Sequence, residues 1–214
     1  GQVYSKMVKD KQNKEVFEEI QRSIFALCLD QPLPQFPGLD DISVAAGHMN
    51  HGWGSNINSS NRWFDKTIQF IVGRDGNIGL NYEHAPAEGP PIISLFDHFM
   101  DYLTTNKRVE DDVPDFKDPT QLKFNVTDDL RNDINQGAAE FDALINDLDL
   151  RAYQFDGYGK EFSKSQKLSP DAFIQVAVQL AYFREFGFNT ATYESGSLRL
   201  FQNGRTETIR SCTI

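Results

Sequence analysis

The chain has only two cysteines among 214 residues, Cys28 and Cys212, and they match no metal-binding or redox spacing. That excludes a disulfide scaffold and makes a reducing compartment the default. Positive charge is also scarce: 21 Lys and Arg stand against 31 Asp and Glu, a net charge of −10. A nucleic-acid binder needs a basic face to release counterions from phosphates, so none is expected as a partner. No apolar run approaches the roughly 20 residues of a membrane helix. The amino end, GQVYSKMVKDKQ, lacks the apolar stretch of a secretory signal and has no initiator Met. With no tail at SCTI either, the chain reads as an internal piece of something longer.

What remains is an ordinary globular composition, 39% hydrophobic and 24% charged, large enough for one substantial core or parts of two domains. Val16, Phe17, Ile20, Ile24 and Leu27 recur at helical spacing over 13–30. Pro32, Pro34 and Pro37 close that segment, and 40–61, rich in Gly, Ser and Asn, reads as a loop. Residues 67–72 and 78–82 form a hairpin pattern around Asp75-Gly76. A helix is expected over 92–104, and the charged stretch 107–120, with Pro114 and Pro119, is the best linker.

A strand at 124–126 should precede a long helix capped by Thr127, with Leu130, Ile134, Ala138, Phe141, Ile145 and Leu148 as its stripe. Residues 151–155 look like a further strand. Ser169-Pro170-Asp171 starts another helix, which runs to about Phe186 with Gly187 as its stop. That helix is apolar on nearly every side and should be buried. Strand-like segments at 191–194 and 197–201 precede the polar run GRTETIRS. Alternating helices and strands favour an α/β fold of mixed sheets with flanking helices.

Four histidines are available for proton chemistry. His84 ends the alternating strand and enters a loop stiffened by Pro86, Pro90 and Pro91, with Glu88 four residues on. An imidazole so fixed suits a general base, and a turn can bring the carboxylate to it. A satisfied structural histidine fits the same spacing, and the residues alone leave both readings open. His48 and His51 lack further ligands at zinc spacing and read as surface loop residues, and His98 reads as a partly buried packing residue. No metal site is expected. Lys160, Lys164 and Lys167 precede a helix start, a place for a phosphate or simply a solvated loop. No G-x-S-x-G elbow or Gly-rich phosphate loop is present.

The stretches NRWFDKTIQFIV, YEHAPAEGPP, YGKEFSKSQKLSPDAFIQVA and TYESGSLRLFQNGRTETIRS resemble, in order, the carnitine/choline acyltransferase family, from about Lys9 to Thr213. The resemblance implies a two-domain fold related to chloramphenicol acetyltransferase. Residues 1–122 would be part of the domain carrying the catalytic histidine, and 123–214 part of a second domain with coenzyme A and carnitine contacts. It places the catalytic histidine on His84 and a supporting glutamate on Glu88. Coenzyme A contacts fall on Lys160, Lys164 and Asp171, and carnitine contacts on Tyr193, Ser195 and Thr206.

Thr206 stands where choline-directed members have the valine of GRVDN, which favours carnitine. The implied activity is reversible transfer of an acetyl or short acyl group between coenzyme A and carnitine, with no permanently bound cofactor. The alternatives are a non-catalytic coenzyme A or acyl-carnitine binding module, and a choline-directed enzyme. The family's Ser-Thr-Ser oxyanion motif does not occur in this chain, so the segment alone is expected to be inactive and to need the remainder of the enzyme. Mitochondrion or peroxisome is the implied location.

Overall fold

The computed structural model describes residues 2–105 and 118–210. The fold is mixed α/β, with small sheets flanked by helices, and divides into two compact units, Gly1–Tyr153 and Gln154–Ile214. The first unit continues past the boundary expected between 122 and 123. The expected linker falls mostly outside the described residues, as does Cys212.

The first unit opens with the short helix α1 (Gln2–Met7) and with α2 (Lys11–Arg22), which begins where the Asp10 carboxylate accepts the Asn13 N–H. The expected long helix ends early. Ser23 caps α2, and the next residues form strand β1 (Ala26–Asp30) rather than a further turn. Leu27 therefore belongs to a sheet face. The termination has a visible cause, because buried Lys66 donates from Nζ to the carbonyls of Ile20 and Ser23 at 2.5 and 2.8 Å. Val16 and Phe17 are buried, each worth about 1.5–3 kcal/mol by transfer. Tyr4 and Phe124 lie against Phe17 with ring centroids 4.9 and 5.1 Å away.

A third helix, α3 (Asp41–Asn50), occupies part of the segment expected to be loop. Asp40 starts it, accepting the Ser43 N–H and hydroxyl at 2.8 and 2.9 Å. A single-turn 3-10 helix follows at Ser59–Asn61. The expected hairpin forms as β2 (Ile68–Gly73) and β3 (Ile78–Tyr82), antiparallel, with Gly76 at φ +87° in its turn. Strand β1 adds parallel to β2, giving the order β1-β2-β3.

One face of this sheet carries Leu27, Leu29, Phe70, Val72, Ile78 and Leu80. The other carries Cys28, Asp30, Gln69, Ile71 and Gly73, all buried. Helix α4 (Gly89–Thr105) starts slightly earlier than expected, since Pro90 and Pro91 sit in its first turn, where no backbone donor is needed. Its buried residue is Ile92, and His98 is exposed rather than packed.

Helix α5 (Asp128–Asp147) has the expected Thr127 cap, whose hydroxyl accepts the Leu130 N–H. Residues 124–126 and 151–155 are irregular, not strands. In each place a side chain takes the backbone hydrogen bonds that a neighbouring strand would have made: Asn13 pairs with Asn125, and Ser43 Oγ accepts from Ala152 N at 2.9 Å.

The second unit holds α6 (Lys160–Ser165), α7 (Pro170–Phe186) and a hairpin of β4 (Tyr193–Ser197) and β5 (Thr206–Arg210). Ser169 caps α7 and Gly187 ends it in the left-handed region at φ +77°. Helix α7 has no buried residue, contrary to expectation. Among its described residues the unit offers one short helix and one two-stranded sheet, too little to surround a helix that is apolar on nearly every side. The polar run expected to follow the last strand is itself strand β5.

Candidate active site

The hairpin β2–β3 determines where His84 stands. Gly73 N–H donates to Asn77 O at 2.8 Å, closing the turn, and Ile68 pairs with Tyr82 at the open end. Asn81 ties that end to the last turn of α3, its amide donating to Asn50 O at 3.1 Å. Beyond Tyr82 the chain makes one more ladder-like bond, Glu83 N–H to Thr67 O at 3.1 Å, and then turns through residues 84–86.

His84 is exposed at the start of that turn, its ring centroid 5.6 Å from Tyr82 and tilted 38°. Glu88 is half-buried and directly precedes α4. An exposed imidazole on a strand end, presented by a short turn, can exchange a proton with a bound molecule.

A second titratable cluster was not legible as such. His48 and His51 are buried, not surface loop residues. His48 lies on α3, its Nε2 2.6 Å from Asp30 Oδ2 at the end of β1. Arg62 holds the same carboxylate in a fork, Nη1 to Oδ1 at 2.9 Å and Nη2 to Oδ2 at 2.7 Å, and also donates to His48 O. Asn61 completes the shell at 2.8 Å.

Burial pushes the Asp30 carboxyl up, but the hydrogen bonds and charge of Arg62, with Asn61 and His48, outweigh it and hold it below the usual carboxylate range. Burial lowers the His51 pKa, and the Arg62 charge lowers it further. The Cys28 thiol is raised by burial, so it is a poor nucleophile. The cluster pins β1, α3 and the 61–62 segment together. The only hint in the sequence was an Asp, a His and an Arg in segments that fold together. Among the described residues no group of His, Cys, Asp and Glu is arranged to hold a metal ion.

In the second unit Lys160 and Lys164 are exposed on the short helix α6 at i,i+4 spacing. Lys164 pairs with Glu161 at 3.0 Å. Asp171 is exposed in the first turn of α7. The Tyr158 ring contacts both helices, tilted against Phe162 at 4.5 Å and edge-on to Phe173 at 6.1 Å. The expected helix start is present, and the basic segment before it is helical rather than loop.

The hairpin register decides the remaining three residues. Tyr193 pairs with Arg210, Ser195 with Thr208 and Ser197 with Thr206. Residues two apart on a strand share a face, so Tyr193, Ser195 and Thr206 lie on one exposed face, with Thr206 diagonal to Ser195. A hydroxyl-rich face of this kind offers several donors to an anionic group.

A family profile described as Choline/Carnitine o-acyltransferase matches residues 1–214. The chain belongs to this family. As a family member it is similar to the Carnitine O-acetyltransferase of Rattus norvegicus, 51% identical over 215 residues, covering 100% of this chain and 34% of that protein. The Homo sapiens Carnitine O-acetyltransferase is 48% identical over 216 residues with the same coverage. The Choline O-acetyltransferase of Mus musculus is 39% identical over 212 residues, covering 97% of this chain and 32% of that protein. This acyltransferase chain thus spans about a third of the length of the relatives it matches. No helix among its described residues is long and apolar enough to cross a membrane.

Proposed function

We propose that the chain carries the proton-transfer base and part of the substrate-binding surface of an enzyme that moves an acetyl or short acyl group between coenzyme A and carnitine. The observation that carries this reading is the end-to-end match, at 48–51% identity, to proteins named Carnitine O-acetyltransferase. The 39% match to a Choline O-acetyltransferase keeps choline as the competing acceptor.

In this reading His84 accepts the proton of the carnitine hydroxyl as oxygen attacks the thioester carbon. The tetrahedral oxyanion collapses, the carbon–sulfur bond breaks, and the imidazolium returns its proton to the thiolate. Glu88 supports the imidazole. Lys160 and Lys164 meet a phosphate of coenzyme A as charged donors, and Asp171 in the first turn of α7 is a further coenzyme A contact. Tyr193, Ser195 and Thr206 receive the carnitine carboxylate. Donors for the oxyanion come from the remainder of the protein.

The test is turnover of acetyl-CoA with carnitine by the complete protein containing this chain. His84→Ala should lower kcat by about 10²–10⁴-fold while coenzyme A binding is kept. Retained turnover would remove His84 from the chemistry. Faster turnover with choline than with carnitine would favour the competing acceptor.

A further inference from the structure

Residue 83 is tied at both ends. Its backbone N–H donates to Thr67 O at 3.1 Å, at the entry to β2. Its side chain reaches over the following residue, and Glu83 Oε2 accepts the Ala85 N–H at 3.0 Å. The peptide that carries His84 is therefore bracketed, by the sheet on one side and by a carboxylate-to-amide bond on the other. Tyr82, on the ladder just before it, places its ring beside the imidazole. Glu83 is half-buried, although a carboxylate with no task would be expected in solvent.

Geometry rather than charge is what such a bond supplies. The Ala85 N–H lies one peptide beyond the His84 Cα, so rotation about the His84 backbone breaks the Glu83 bond. A base displaced by about 1 Å from its productive place loses about 10²-fold in rate. We propose that Glu83 is a positioning residue for His84, acting through its hydrogen bond to the Ala85 amide. This rests on the reading of His84 as the base.

The test uses two substitutions in the complete protein and one measurement that does not depend on turnover. Glu83→Gln keeps a carbonyl oxygen at the acceptor position and should hold kcat within about threefold of the parent. Glu83→Ala should lower kcat by about ten- to a hundredfold while leaving both KM values within about twofold. Amide hydrogen exchange at Ala85 should be slow in the parent and in Glu83→Gln, and faster in Glu83→Ala.

Equal losses in Gln and Ala would overturn the proposal, since charge would then be the operative property. So would parental kcat in Ala, or a rise in KM alone. If Glu83→Ala fails to fold, unprotected Ala85 in the parent still overturns it, and protection kept in Glu83→Gln supports it. His84→Ala separates the two readings. Undiminished turnover there removes His84 as base, whereas Ala85 exchange reports the Glu83 tie either way.

Discussion

Asn13 and Asn125 pair as though they stood on adjacent strands. Asn13 Nδ2 donates to Asn125 O at 2.9 Å, and Asn125 N–H donates to Asn13 Oδ1 at 2.7 Å. A helix residue thereby uses its amide to satisfy an irregular segment's backbone. The Asn125 side chain returns to Asp10, the cap of the same helix. Asn13 is fully buried, so neither bond can be replaced by water. Asn13→Asp removes the donor and sets a carboxylate against a carbonyl. Losing the bond and leaving the carbonyl unpaired should cost about 2–4 kcal/mol. Urea denaturation measures it, and a loss below about 0.5 kcal/mol would show that the pairing does not hold the segment.

The Asp30–Arg62 fork gives a second prediction. Arg62→Met leaves a buried carboxylate with only His48 and Asn61, and should cost about 3–5 kcal/mol at pH 7. The pH dependence follows from the folded pKa of Asp30, which lies below its ordinary value of 3.8. Its contribution is complete above the unfolded pKa of about 3.9 and is lost as pH falls through the lower folded value. Asp10, Asp40 and Asp142 are also lowered and act in the same range. The informative quantity is therefore the difference between parent and Asp30→Asn. That difference should shrink as acid is added below about pH 4 and stay level above it. A difference that grows with acid would contradict the assignment.

Local chemistry made some elements readable. Asp75-Gly76 between alternating strands, Thr127 before α5, and Ser169-Pro170 with Gly187 around α7 carry their own signals, and each forms as expected. Strand β1 was hidden because its apolar residues also continue the helical spacing of α2. What separates them is a cap supplied by Lys66, more than forty residues later in the chain. Helix α3 was hidden by the Gly-, Ser- and Asn-rich stretch 51–61 that follows it, although Asp40 and Ser43 carried a capping signal. The candidate site residues were named one by one through resemblance, and no local pattern in the sequence singled out their roles. The shared face of Tyr193, Ser195 and Thr206 needed the register, because the polar β5 lacks the apolar alternation that marks a strand.

Gly73 gives a third prediction. A Cβ there would lie 3.0 Å from His48 Cε1 and still closer to the Asp75 carboxylate, while His48 is fully buried and bonded to Asp30. The ring cannot retreat without breaking the cluster. Gly73→Ala should therefore cost about 1–3 kcal/mol by overpacking. Gly76, with open space but φ +87°, tests backbone strain alone, at about 1–2 kcal/mol in Gly76→Ala. Replacing Asp75 with Ala in each background distinguishes them. It should relieve part of the Gly73→Ala cost and none of the Gly76→Ala cost, and equal relief would mean that the two glycines share one cause.

Thr206 supplies the last prediction. It stands opposite Ser197 and diagonal to Ser195 on the exposed face of β4–β5, where a hydroxyl can donate to a carboxylate. Valine has the same shape and no donor. A hydrogen bond to a charged group is worth about 1.5–3 kcal/mol, or roughly 10–150-fold in an equilibrium. Thr206→Val in the complete protein should raise KM for carnitine by about that factor and leave KM for acetyl-CoA within about twofold. Thr206→Ser should keep most of the parental affinity, because the donor remains. Choline, which has no carboxylate, should be indifferent to all three side chains. A Thr206→Val enzyme with unchanged KM for carnitine would show that the hydroxyl face of this hairpin is not where the carboxylate binds.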